Sequence, residues 1–253
     1  MAILLVNDDG IYAPGLYALA KALRDKYEVV IVAPDREQSA VGHAITLAEP
    51  LRIYKIHQDG SFYGYAVSGT PADCVKLAIR VILDRPPDLL ISGINQGANV
   101  GASLIYSGTV SAATEGTMLM IPSIAVSLDT HRSDANFDDA AQIAVQIAEK
   151  VMKFGLPGGV FLNVNVPNLP MGSIKGFKIT RQATTYFDDF FERRIDPQGR
   201  TYYWMSGTMV EVDRGEDSDL MALKHGYVSI TPVKYDLTAR QFISTIESWF
   251  SAE

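Results

Sequence analysis

Residues 3–6 read Ile-Leu-Leu-Val and run straight into Asn7-Asp8-Asp9-Gly10. An unbroken apolar run closed by polar and glycine residues is the signature of a strand buried on both faces, as in a parallel sheet covered by helices. Leu16, Leu19, Ala20 and Leu23 then recur at helical spacing to about Lys26, and residues 27–33 form a second apolar run. Strand, helix and strand in that order predict a right-handed parallel crossover. The alternation resumes with a strand at 88–92, another at 121–128, a helix over 138–154 through Ala141, Ile143, Ala144, Ile147, Ala148 and Val151, and a strand at 160–166. Between the two blocks, 51–56 and 63–67 alternate as half-buried strands with a hairpin turn at Asp59-Gly60. Thr70 and Pro71 have the character of an N-cap and a first helical residue, followed by an apolar face of Cys74, Leu77, Ala78, Val81 and Ile82. A last strand is expected at 226–233 and a closing helix at 237–250. The fold class is α/β, with a Rossmann-like three-layer parallel sheet.

The pattern breaks between about 171 and 225. Tyr186, Phe187, Phe190, Phe191, Tyr202, Tyr203 and Trp204 are interleaved with charges there, and no compact core is visible. This stretch is a β-rich extension of a single domain spanning 1–253, whose core is about 1–170 plus 226–253. Aromatics without a core of their own bury themselves against something else, so the arm is expected to pack on a second subunit.

Composition narrows the chemistry. The chain has 253 residues, 47% of them apolar, enough for one large core. Its formal charge of −7 disfavours a nucleic-acid partner. The single cysteine, Cys74, excludes an internal disulfide and a cysteine zinc cluster, and it reads as a small core residue. His43, His57, His131 and His225 are scattered without zinc-ligand spacing. No apolar run approaches a membrane helix and no leader precedes the first strand, so a cytoplasmic protein without a membrane partner is expected.

Asp8 and Asp9 fall where the first strand runs out, and open α/β sheets bind their ligands outside the carboxyl ends of their strands. Two adjacent carboxylates repel unless a cation or proton separates them, and a helix cap needs only one. A hard divalent cation, Mg²⁺ or Mn²⁺, satisfies the pair and needs further oxygen donors. Ser39, on the loop leaving the second strand, and Asn95, in the Gly93-Ile94-Asn95-Gln96-Gly97-Ala98-Asn99-Val100-Gly101 segment, are the neutral candidates. Asp8, Asp9 and Asn95 are accordingly the expected catalytic residues, with Asp8, Asp9, Ser39 and Asn95 holding one metal. Such a site is open to a phosphate ester. Asn99, Ser107, Gly108 and Thr109 are placed to hold the remaining phosphate oxygens, the last three at a helix start. Neither a Walker A nor a GxGxxG motif is present. His43 and His225 are candidate proton donors that nothing in the sequence brings near the metal.

In these stretches the chain resembles the SurE family, stationary-phase survival proteins that are metal-dependent 5'/3'-nucleotidases. The matching segments are ILLVNDDG with APG (3–10, 13–15), VIVAPDREQSAVG (30–42), VSGTPADCV (67–75), LLISGINQGANVG (89–101), YSGTVSAATEG (106–116) and PSIAVSL (122–128), with VFLNVNVP (160–167) and GYVSITP (226–232) downstream. The resemblance implies one Mg²⁺ or Mn²⁺ per subunit at Asp8, Asp9, Ser39 and Asn95. It also implies hydrolysis of nucleoside 5'- and 3'-monophosphates, in some members of short polyphosphate, and a homodimer or homotetramer that exchanges C-terminal elements. Attack by a water is favoured over attack by Asp8, because both acids serve as ligands.

Two rival classes share part of the pattern. A haloacid-dehalogenase-type phosphatase requires two aspartates separated by one residue and a downstream acidic pair, for which Asp138-Asp139 at a helix start is a poor fit. A receiver-like module shares the adjacent acids but is about half this length. A non-catalytic nucleotide-binding protein remains the alternative from another class.

Overall fold

The computed structural model describes residues 1–251; Ala252 and Glu253, at the end of the expected domain, lie outside the described residues. The first block consists of β1 (Ala2–Val6), α1 (Pro14–Arg24), β2 (Glu28–Pro34), the hairpin β3 (Ile53–Gln58) and β4 (Ser61–Val67), and α2 (Pro71–Leu77). The second consists of β5 (Leu89–Gln96), a short α3 (Ser103–Tyr106), α4 (Gly108–Met118), β6 (Ser123–Asp129), α5 (Asp138–Phe154) and β7 (Val160–Pro167). The C-terminal part adds β8 (Phe177–Ile179), β9 (Thr185–Ile195), β10 (Thr201–Glu211), α6 (Asp219–Lys224), β11 (Val228–Lys234) and α7 (Ile243–Phe250).

Nine strands form one sheet in the order β3-β4-β2-β1-β5-β6-β7-β11-β8, parallel from β4 through β7. Only the outer β3 and the β7–β11 pairing are antiparallel. Side chains of β1 alternate between two cores. Ile3 and Leu5 pack with α1 and α5 on one face, while Leu4 and Val6 pack with α2 and Ala112 of α4 on the other. This is the three-layer arrangement expected from the apolar runs. The chain winds outward from β1 through β2 and then returns to place β5 on the opposite side, so the order reverses at β1 and β5. The crevice at that reversal is where an α/β sheet binds ligands.

Most elements follow the sequence pattern, including the capping box in which Thr70 accepts from the Asp73 amide and Asp73 accepts from the Thr70 amide. Four details differ. The expected strand at 88–92 continues to Gln96, because pairing with β6 resumes at Asn95↔Ser127 after a register shift. Asn95 therefore sits on a strand end and not on a loop. After α2 the backbone widens over Ala78–Ile82, closed by a Leu83 N–H to Ala78 carbonyl bond of 2.8 Å. That phase change turns Val81 out to solvent, away from the apolar face assigned to it. Within 171–225, β8 joins the main sheet and α6 packs on β11 and β7, so the free arm is narrower than expected, the β9–β10 ribbon. Finally, the C-terminal helix begins only at Ile243 and buries none of its residues, so it closes nothing in this chain.

Candidate functional site

The site is built from four segments that leave the carboxyl ends of β1, β2, β5 and β6. Gly10 (φ +98°) turns the chain immediately after the two acids, and a side chain there would press on the backbone of Arg36. The Gln38 amide donates to the Asp8 carbonyl at 2.8 Å, which ties the segment carrying Ser39 to the acid pair. Asp8 is 4% exposed. The Thr109 hydroxyl donates to its Oδ1. Gly108 lies flat against it, since a Cβ on Gly108 would fall 2.7 Å from the Asp8 Cβ. Burial raises the Asp8 pKa above the usual carboxylate range, opposed by the Thr109 hydroxyl and amide. Burial, and then the charge of Asp8, raise Asp9 to about 7 against a single amide from Gln96 at 3.3 Å. No Lys, Arg or His pairs with either acid among the described residues, and Glu37 adds further negative potential to both. A carboxylate pair of which one member is buried and the other half-buried, with no cationic side chain to compensate it, is chemically suited to a divalent cation.

The neutral donors have matching chemistry. Ser39 donates its hydroxyl proton to Glu37 Oε1 at 2.6 Å, which leaves the oxygen lone pairs uncommitted. Asn95 donates Nδ2 to the Gly97 carbonyl at 2.7 Å, which leaves Oδ1 uncommitted. Asp8, Ser39 and Asn95 line one cavity of about 480 Å³, together with Asn99, Ser107, Tyr106 and His131. The described residues contain no cluster of three or more His, Cys, Asp or Glu side chains arranged as metal ligands, so a cation here relies on two acids and neutral oxygens.

The four residues expected at the phosphate separate into two pairs. Asn99 and Ser107 line the cavity. Asn99 is clamped by β7: its amide donates to Asn165 Oδ1 at 2.7 Å, and its carbonyl accepts from Asn163 and Asn165 at 2.9 and 3.0 Å. Ser107 caps α4, accepting from the Val110 amide at 3.1 Å. Gly108 and Thr109 stand behind Asp8, and the Thr109 side chain, fully buried, holds that carboxylate instead of facing the cavity. His43 and His225, the expected proton donors, pair with Glu115 and Glu216 and do not line the cavity.

Sequence reasoning missed His131, Tyr106, Asp189 and Met205 as lining residues. By sequence alone Phe187 belongs only to the aromatic arm. Phe187 and Asp189 of β9 and Met205 of β10 reach over the cavity, and the Phe187 ring meets Tyr106 edge-on with centroids 6.5 Å apart. The ribbon is anchored where Thr185 Oγ1 accepts the Ala102 amide at 2.8 Å. Asp219, buried on α6, accepts the Gly101 and Ala183 amides at 3.1 and 2.9 Å. A signal for the β7 clamp was present in the alternation of VFLNVNV, where two asparagines occupy a strand otherwise fit for a core.

Fold and site together define an α/β protein with an acidic, oxygen-lined cleft at the switch point of a parallel sheet, roofed by a β-ribbon. Residues 3–189 match the family model described as Survival protein SurE. The chain is 48% identical over 249 residues to the 5'-nucleotidase SurE of Syntrophobacter fumaroxidans, covering 98% of this chain and 99% of that protein. It is 50% identical to the protein of the same name from Syntrophus aciditrophicus, over 100% of this chain and 95% of that one. The crystal structure of the SurE protein from Aquifex aeolicus superposes with a TM-score of 0.85 at 45% identity, over 99% of this chain and 100% of that one. The chain belongs to the SurE family.

Proposed function

We propose that the protein is a divalent-metal-dependent phosphomonoesterase that converts nucleoside 5'-monophosphates, and 3'-monophosphates, to nucleoside and phosphate. The observation that carries this reading is buried Asp8 sharing one cavity with the uncommitted oxygens of Ser39 and Asn95, with half-buried Asp9 next to it in the chain and both acids raised in pKa. Full-length relatives named 5'-nucleotidase support the substrate class. Asp8, Asp9, Ser39 and Asn95 would hold one Mg²⁺ or Mn²⁺ per subunit, which when bound supplies Lewis acidity at the phosphoryl oxygen.

The remaining work falls to the chain. Thr109 and Gly108 fix Asp8 in one orientation. Asn99, Ser107 and the first-turn amides of α4 receive phosphate oxygens, using neutral donors and a helix N-terminus in a cavity that no Lys or Arg lines among the described residues. Tyr106, Phe187 and Met205 offer an apolar wall for the nucleoside. Water attacks in line, since both acids would be engaged as ligands. Short polyphosphate fits the same requirements. We read the whole chain as one α/β domain, with the β9–β10 ribbon and α7 as elements that join subunits in a dimer or tetramer. Among the described residues no helix is long and apolar enough to cross a membrane.

The haloacid-dehalogenase-type alternative loses its second acidic pair, because Asp139 at the start of α5 accepts the Met171 amide at 2.9 Å and is not among the cavity residues. Phosphate release from a panel of nucleoside 5'- and 3'-monophosphates by chelator-stripped protein, with each metal added back, tests the proposal. Metal-dependent release that Asp8→Asn abolishes supports it. No release from protein that still binds nucleotide would convert the reading to a binding module.

A further inference from the structure

His131 stands apart from the other histidines. His43 Nε2 pairs with Glu115 Oε2 at 2.8 Å, His225 Nδ1 with Glu216 Oε2 at 3.1 Å, and the His57 ring lies edge-on to Phe62 with centroids 5.9 Å apart. His131 follows the end of β6 by two residues, which brings it to the carboxyl edge of the sheet and into the lining of the cavity that holds Asp8, Asn95 and Ser107. Its ring lies directly on Gly97, where an added Cβ would come within 2.8 Å of Cε1. Gly97 is itself pinned by its amide to the Leu128 carbonyl at 2.9 Å and by its carbonyl to Asn95 Nδ2 at 2.7 Å. The imidazole is thus seated on the segment that carries Asn95, and neither ring nitrogen has a protein partner among the described residues.

The chemistry of the cleft leaves one job unassigned. A ribose alkoxide is a poor leaving group, so hydrolysis of a nucleoside monophosphate needs a proton delivered to the bridging oxygen as the phosphorus–oxygen bond breaks. The other ionisable side chains lining the cavity are Asp8, Tyr106 and Asp189. Asp8 is held by Thr109, and Tyr106 meets Phe187 edge-on. Imidazole is the side chain whose proton exchange is best matched to neutral pH.

Resting on the phosphomonoesterase reading, we propose that His131 is the general acid that protonates the departing ribose oxygen. In the step, the water oxygen forms a bond to phosphorus while the bond from phosphorus to the ribose oxygen breaks. The electron pair of the broken bond takes the proton from the His131 imidazolium, and the nucleoside leaves as a neutral alcohol. The water surrenders one proton to solvent and the neutral imidazole recovers one, so the cycle closes without any other reactant.

The test compares wild type with His131→Asn and His131→Gln on adenosine 5'-monophosphate and on p-nitrophenyl phosphate, whose phenolate departs without help. His131 is exposed and has no protein hydrogen bond to lose, so the variants should fold. The expected result is a fall in kcat of about 100-fold on the nucleotide and less than about threefold on the aryl ester. A series of aryl phosphates of increasing leaving-group basicity should show a steeper dependence in the variants than in wild type. Equal losses on both esters would overturn the assignment in favour of a packing role against Gly97, and unchanged rates on both would remove His131 from the reaction. If wild type hydrolyses neither ester with Mg²⁺ or Mn²⁺, the phosphomonoesterase reading itself fails and this proposal falls with it.

Discussion

Asp9 links site chemistry to pH. Burial and the neighbouring Asp8 hold its pKa at about 7. An unfolded aspartate releases its proton near pH 3.9, so between about 4 and 7 the folded metal-free protein binds the extra proton. Its contribution to stability is therefore favourable at the acid end and lost as pH rises through 7. Thermal unfolding in chelator should show the midpoint falling across this window in wild type and a flatter profile in Asp9→Asn. A metal held by Asp8 and Asp9 would compete with the same proton. Apparent Mn²⁺ affinity should climb up to about tenfold per pH unit below 7 and level off above it, as read by titration calorimetry. Thr109 acts one bond further out. Its hydroxyl orients Asp8, so Thr109→Val should keep the fold and weaken Mn²⁺ binding about 10- to 100-fold, the usual effect of losing a partner behind a ligand. Unchanged affinity would mean that Gly108 packing alone positions the carboxylate.

At the scale of elements, the parallel strands deliver the site and the ribbon completes it. The long segment after β2 has no regular structure of its own and is held at discrete points. Gln38 binds the Asp8 carbonyl, Gly42 binds the Tyr106 carbonyl at 3.0 Å, His43 binds Glu115, and Thr46 binds Asp73. Glu115, buried on α4, also accepts Lys76 at 2.6 Å, so one carboxylate fastens α2, α4 and the Ser39 segment. The ribbon contributes Phe187, Asp189 and Met205 to the cavity without joining the main sheet. Phe187→Ala should raise KM for nucleotides several-fold while leaving kcat on p-nitrophenyl phosphate nearly intact. Equal damage to both substrates would place Phe187 in site assembly instead of nucleoside contact.

For the whole molecule, the exposed apolar surface is concentrated at the C-terminal end of the chain. Phe190, Phe191, Tyr203 and Trp204 on the ribbon and Trp249 and Phe250 on α7 are each more than half exposed. Patches of this kind mark interaction surfaces, and α7 buries none of its residues against this chain. Light scattering at micromolar concentration should give a dimer or larger assembly, and Trp204→Glu combined with Trp249→Glu should shift it toward monomer with the core still folded. A monomeric wild type would refute the assignment.

The sequence by itself determined the layers and the acids. Short apolar runs closed by turn residues read as strands buried on both faces, and 3.6-residue spacing reads as a helix packed on one, so β1, β2, β7 and α5 emerge within a residue or two of expectation. That Asp8, Asp9, Ser39 and Asn95 lie at one edge of the sheet was legible because each follows such a run, and an α/β sheet brings the carboxyl ends of its parallel strands together. Tertiary structure decided what depends on contacts between segments far apart in the chain. Thr109 has the local character of a helix-start anion donor, and only its approach to Asp8, 101 residues away, makes it a support for that carboxylate. His131 carries no motif, and only the meeting of the segments after β5 and β6 sets it on Gly97. The apolar spacing that predicted α7 speaks of a helix with a partner face, and a single chain supplies none. Local pattern reports which surfaces must be buried, whereas the partner that buries them, and hence the role of each polar group beside it, is settled only when the chain closes on itself.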